Sequence, residues 1–368
     1  MKKFLNLFIL LFLFCLGCAR FKTKNLTPHI EFSLSIGKDI NNIKIIQTSD
    51  YFFEIPSEYF IKDKFLYLVD IFNFRVLKVG KKDKIILKFG EKYQEEKISE
   101  INLFNTNFSG LKFNNDLFKF VEPGQIYIDN KNNIFVENVL SSITEEHRYN
   151  AYSIILKFDS RGKPLEIYGK KISKEGNIYP FEELDHFSVD INDNLFVVEK
   201  RENEWKIYKF SSPDKIIGLF TSSSLLSNIK IPKDEKAVIE NVDHSFTGDF
   251  IIAGVSFYKN KYQFIKTDFY KISFSGKIER LFSLKNEEYN FILLNNSDII
   301  YLWKTDEKSK KYEKIVLRLL NLKGKVVLIK NLKLRRSEAK WFNIKVQKND
   351  IITGINLSHN CFNIVVWE

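Results

Sequence analysis

From Leu66 to Gly90 the chain reads LYLVDIFNFRVLKVGKKDKIILKFG. Apolar runs alternate with short polar breaks. The runs are four to eight residues long and rich in β-branched and aromatic side chains, which favours buried strands over helices. The breaks carry Asn, Asp, Ser and Lys, and Asn and Asp tolerate the left-handed backbone that tight hairpins need. No long amphipathic helical pattern occurs, so an all-β chain is predicted.

The same pattern recurs. GQIYIDNKNNIFVENV (124–139) with YSIILKFDSRGKPLEIYG (152–169) is the clearest copy. DHFSVDINDNLFVVEK (185–200), DHSFTGDFIIAGVS (243–256), NFILLNNSDIIYLWK (290–304) and WFNIKVQKNDIITGINL (341–357) each open another. Landmark positions in the second strands are Val69, Val136, Val197, Ala253, Leu302 and Thr353, at intervals of 67, 61, 56, 49 and 51 residues. That spacing fits blades of four antiparallel strands with insertions and is too irregular for a stacked solenoid. The last copy lacks a fourth strand. IEFSLSIGK (30–38) resembles the fourth strands IILKFGEK (85–92) and PLEIYGKK (164–171). An N-terminal strand pairing with the C-terminal blade would close the ring and remove an exposed edge. The expected fold is a six-bladed β-propeller over 30–368, as a single domain with an insertion at 91–120 between blades 1 and 2.

IYIDNKNNIFVENV followed by IILKFDSRGKPLEIYG resembles the NHL-type propeller repeat. The shared features are a strand, Asp, a polar turn, a strand, and a strand ending in Phe-Asp-x-x-Gly-Lys. Val69-Asp70, Asn73 and Arg75-Val76-Leu77-Lys78 match the same repeat in part. The chain departs from it in having few glycines and weak Asp positions in blades 4–6. The resemblance implies a scaffold for protein or ligand binding, with some enzymatic relatives, and no particular activity.

The first residues change the picture of location. Met1-Lys2-Lys3 precedes an apolar run from Phe4 to Gly17, too short for a comfortable membrane span and suited to a signal-peptide core. FCLGCAR resembles a lipobox of the relaxed, spirochaete-like kind. This predicts a lipoprotein signal peptide at 1–17, lipidation of Cys18 (detectable with labelled palmitate) and a basic tether at 18–29; an ordinary signal peptide or a short anchor is the alternative. The expected location is the bacterial cell envelope, with the membrane and the leaflet left open. Cys361 would be the sole other cysteine after cleavage, so no disulfide is expected. The net charge of +11 becomes about +9 without Lys2 and Lys3, which suits an anionic membrane surface or acidic partners. Export argues against a nucleic-acid partner, and a monomer is expected.

Candidate chemistry follows from the propeller. Residues just before each inner strand should line the mouth of the central channel. Glu58, Glu122, Asp185, His186, Asp243, His244 and Glu288 occupy such positions, with Asp-His occurring twice. Such a collar could hold a basic group or a divalent cation such as Ca²⁺. No cofactor is otherwise expected. The sequence contains no HExxH, CxxC, GxSxG, GxGxxG or P-loop motif. Phe104, Phe108, Phe113 and Phe118 in the long insertion form a candidate partner surface. Two functions therefore compete. The favoured one is a membrane-tethered envelope scaffold that binds a protein through its loops without catalysis. The other is a small-ligand or cation binder, or a metal-dependent hydrolase, that uses the collar.

Overall fold

A computed structural model describes residues 22–37, 42–47, 53–92, 119–140, 152–169, 181–201, 204–260, 263–285, 288–305, 314–333, 340–358 and 361–368. The strands form six blades of four antiparallel strands each, arranged as a propeller ring. Blade 1 runs through Tyr59–Lys62, Phe65–Asp70, Arg75–Val79 and Ile85–Phe89. Blade 2 follows with Pro123–Ile128, Ile134–Leu140, Tyr152–Phe158 and Pro164–Tyr168, and blade 3 with Leu184–Val189, Leu195–Arg201, Glu204–Ser212 and Lys215–Thr221. Blade 4 uses Glu235–His244, Phe250–Lys259, Gln263–Ser273 and Ile278–Lys285. Blade 5 uses Asn290–Leu294, Ile300–Thr305, Lys314–Leu320 and Val326–Lys333. Each landmark residue lies on the second strand of its blade.

The ring closes with an N-terminal strand. Pro28–Ser35 pairs antiparallel with Cys361–Trp367, becoming the fourth strand outside Lys340–Val346 and Ile352–Ser358. One feature of the expected tether was not legible in the sequence. Thr23–Leu26 forms a strand of its own, parallel to Ile329–Leu332 on the outer edge of blade 5. The two ends of the chain are thus stitched across blades 5 and 6, and Thr27 N donates to the carbonyl of Glu368.

The hairpins show why so few glycines suffice. Asp129, Asp190 and Asn295 each begin an inner hairpin, where one side-chain oxygen accepts the backbone N–H two and four residues on, at 2.7–2.9 Å. Asp159 and Asn321 do the same in outer hairpins. In blades 2, 3, 5 and 6 the fourth residue of the inner turn has positive φ and is Asn132, Asp193, Asp298 or Asp350, residues that bear the left-handed backbone best after glycine, while blade 1 turns through Asp63 and Lys64, both at positive φ. Blade 4 departs from this. Ser245 takes the first place and Gly248 the strained one, where a Cβ would stand 2.1 Å from Asp190 Oδ2.

The core is divided among the blade interfaces. Six buried clusters each join two neighbouring blades, as when Phe135, Ile155 and Tyr168 of blade 2 meet Phe187, Val197 and Phe210 of blade 3. Phenylalanine suits this wedge, because a flat ring fills the gap between two sheets and packs edge to face, as Tyr168 does on Phe210 at 5.7 Å. A short helix, Ser222–Asn228, precedes blade 4, capped by Thr221 and pinned by the buried Leu225. Cys361 is half-buried and unbridged. No helix among the described residues is long and apolar enough to cross a membrane.

Candidate functional site

A cavity of about 490 Å³ is lined by inner-strand residues from all six blades and extends outward along blade 5 to Trp303, Ile315, Leu317 and Leu332. Its position follows from strand pleating. Alternate residues of an inner strand point to the axis and the others into the blade interfaces. Counting back two residues from the start of the inner turn in blades 2 to 6 gives Tyr127, Ser188, Asp243, Leu293 and Lys345, and all five line the cavity.

Parity explains what becomes of the two Asp-His pairs. Asp185 stands five residues before the turn that begins at Asp190, whereas Asp243 stands two before the turn at Ser245. The pairs therefore occupy different levels. His186 and Asp243 share the channel-facing parity, and His186 Nε2 lies 3.9 Å from Asp243 Oδ1. His244 points the other way. It is buried, stacks on Phe196 at 3.8 Å and donates from Nδ1 to the carbonyl of Ser245. Its Nε2 accepts the Ser188 hydroxyl at 2.5 Å. Burial, reinforced by the Lys348 ammonium, holds His244 well below the usual histidine range, so it is neutral.

The other candidates divide. Glu58, Asp185, His186 and Asp243 meet in the cavity. Glu122 and Glu288 are exposed and do not line it; Glu288 accepts instead from Tyr258 at 3.1 Å. Phe104, Phe108, Phe113, Phe118 and Cys18 lie outside the described residues.

Two lysines that the sequence did not single out set the electrostatics. Lys345 Nζ donates to Glu58 Oε2 at 2.7 Å, and Lys348 Nζ donates to Asp243 Oδ1 at 2.7 Å and to the carbonyl of His244 at 3.1 Å. Asp243 also accepts the backbone N–H groups of His244 and Leu294, both at 2.8 Å. Burial pushes the Asp243 carboxyl up, but the Lys348 ammonium outweighs it, and the group is held below the ordinary carboxylate range. Asp185 is likewise held down, burial being outweighed by the 2.7 Å hydrogen bond from His186 Nδ1. That bond leaves His186 Nε2 facing the cavity. The channel is therefore a lattice of paired charges more than an acidic collar. Among the described residues, no group of three or more His, Cys, Asp or Glu side chains converges as a metal site. Both cavity lysines lie in IKVQK, at the second residue before and the first after Gln347, where the turn begins. Aligning the turns, instead of the strand starts, would have revealed them.

No family model and no curated sequence matches the chain. Among solved structures it is similar to virginiamycin B lyase from Staphylococcus aureus, at 11% identity and TM-score 0.39, over 85% of this chain and 83% of that one. The polysaccharide lyase Uly1 is similar at 7% identity and TM-score 0.45, over 94% and 99%. A gluconolactonase from Xanthomonas campestris is similar at 8% identity and TM-score 0.37, over 83% and 82%. These likenesses concern architecture alone.

Proposed function

We propose that the chain is a cell-envelope propeller, tethered by lipid at Cys18, that binds a small polar ligand in its central cavity without catalysis. The cavity carries the reading. Its 490 Å³ is within the usual range of small-molecule sites, and apolar walls surround a few convergent polar groups. Lys345 and Lys348 have ammonium protons to spare for an acceptor on the ligand. Glu58 and Asp185 are half-buried and can accept from a donor. A zwitterion of amino-acid size presents both kinds of group. Phe60, Phe187 and Phe291 supply the apolar contact. Because each carboxylate has a cationic or imidazole partner, binding leaves no buried charge unpaired.

A thermal-shift screen of free amino acids, betaines and short polyols against the full chain tests the reading. At least one compound should raise the unfolding temperature in a concentration-dependent way. The rise should vanish in Ile292→Trp, which fills the cavity, and weaken in Lys345→Met. A compound that stabilises the wild type and Ile292→Trp equally would place binding elsewhere. If no compound stabilises the wild type, the reading fails for this ligand class.

A further inference from the structure

The cavity has an apolar arm that the polar groups of the axis do not use. It leaves the axis beside Lys345. That lysine reaches Glu58 of blade 1, while its neighbours Ile344 and Val346 alternate to the other side of the strand, into the interface with blade 5. The facing wall is one side of blade 5. Trp303 stands directly opposite Leu317, and Ile315 directly opposite Leu332, so these side chains share one face of the sheet from its second strand to its fourth. All six of these apolar residues line the cavity. With strands about 4.8 Å apart, the arm runs outward for roughly 10 Å between Trp303 and Leu332. Its outer end is shut by Leu26 of the N-terminal strand, which pairs with Leu332 and is buried in the same cluster. Toward the inner turn it is shut by Tyr301, the next residue on that face of the second strand, which is fully buried and donates to Asp350 at 2.7 Å.

The sequence accounts for the opening. Five of the six interface clusters contain phenylalanine, the ring that fills the wedge between blades, as Phe135 and Phe210 do between blades 2 and 3. Among the described residues the cluster between blades 5 and 6 contains none; aliphatic side chains and two tryptophans take its place. The interface without its usual filler is the one that the cavity enters. An apolar space of this kind holds water poorly and gains from an apolar occupant.

We infer that the cavity takes an amphiphile, with a zwitterionic head among Lys345, Lys348, Glu58 and Asp185 and an unbranched aliphatic chain in the arm between blades 5 and 6. The inference rests on the cavity reading and adds the ligand's class to it. The head follows from the paired charges at the axis. The chain follows from the arm, whose lining carries no charged group, so that a polar extension of the head would be stranded there without partners. A straight chain suits a slot that runs along one row of side chains across three strands.

The test is calorimetric titration of the full chain with the straight-chain α-amino acids from alanine to 2-aminodecanoate. Each added methylene should tighten binding roughly threefold to fourfold while the arm is filling. In Ile344→Trp, which narrows the arm, the rise with chain length should be lost. A second readout holds even if that variant fails to fold. The bromine of 2-amino-8-bromooctanoate should quench tryptophan fluorescence in the wild type, and Trp303→Phe should lose most of the quenching. A rise of equal slope in Ile344→Trp, or binding without quenching, would put the chain elsewhere and overturn the inference. Equal affinity for alanine and 2-aminodecanoate would overturn it too, and would leave the cavity reading standing. If no member of the series binds, the cavity reading falls and the inference falls with it.

Discussion

Replacing Lys348 by Met exposes the electrostatic logic of the cavity. The Lys348 side chain is 10% exposed and that of Asp243 2%, with 2.7 Å between Nζ and Oδ1. At an effective dielectric constant of about 20 their attraction is roughly 6 kcal/mol, from which the desolvation of both ions must be subtracted. Methionine keeps the volume and removes the charge, leaving a buried carboxylate held by two backbone N–H groups and a distant imidazole. Breaking a buried pair on one side costs about 3–5 kcal/mol, and the two remaining N–H bonds favour the lower end of that range. The loss should depend on pH. In the wild type the Asp243 carboxyl is depressed, so its stabilising contribution is present above the unfolded value of 3.8 and lost as pH falls through the lower folded value. In Lys348→Met burial dominates and the folded value rises above 3.8, so the penalty is largest at neutral pH and is relieved by protonation. Urea unfolding followed by the fluorescence of the buried Trp205 should show a gap of about 3 kcal/mol at pH 7 that narrows toward pH 4. Lys348→Arg should recover most of it. A gap below about 1 kcal/mol at pH 7, or one that does not change with pH, would refute the reasoning.

Three further outcomes are expected. Gly248→Ala should destabilise the fold strongly, because φ is +72° and the new methyl would meet Asp190, whereas Gly276→Ala, at φ +86° with open space around it, should cost only about 1–2 kcal/mol; thermal denaturation separates the two. Asp129→Ala removes the acceptor of two backbone N–H groups and the Asn133 amide, and should cost about 2–3 kcal/mol in urea unfolding, with Asp129→Asn losing less. Because His244 is buried neutral, the unfolded chain takes up a proton that the native chain refuses. Stability from this group is therefore present above the unfolded value of 6.5 and lost as pH falls below it, by up to about 1.4 kcal/mol per pH unit, and His244→Gln should flatten that limb of the stability profile.

The architecture was legible because most blades repeat one local code: an apolar strand, a polar turn rich in Asn and Asp, and a lysine-bearing outer turn. Ring closure was legible too, since 30–38 resembles a fourth strand. The parallel strand Thr23–Leu26 was not, because TKNL carries no apolar periodicity and is held by backbone pairing to blade 5, with Leu26 alone buried. The site was half legible. The acids were visible but misplaced: Asp185 lies within the inner strand Leu184–Val189 and Asp243-His244 close the inner strand Glu235–His244 instead of preceding it, so aligning the two Asp-His pairs put the copies three residues out of register. A strand's side chains alternate, so the odd shift sends the two histidines to opposite sides, while Asp185, at a register shift beside Leu184, still reaches the cavity with Asp243. That is why His186 faces the cavity while His244 lies behind it on Phe196. Lys345 and Lys348 escaped notice because nothing local marks a lysine as buried; their partners, Glu58 and Asp243, lie 287 and 105 residues away in sequence.

Native mass spectrometry of the full chain, isolated from the cells that make it and sprayed without prior unfolding, bears most directly on the cavity as the functional site. The wild type should carry a single non-covalent adduct of small-metabolite mass that is released on collisional activation, and Ile292→Trp, isolated in the same way, should carry none. An adduct retained in full by Ile292→Trp, or a wild type that leaves its cells with an empty cavity and takes up no zwitterion or polyol at millimolar concentration, would contradict the assignment.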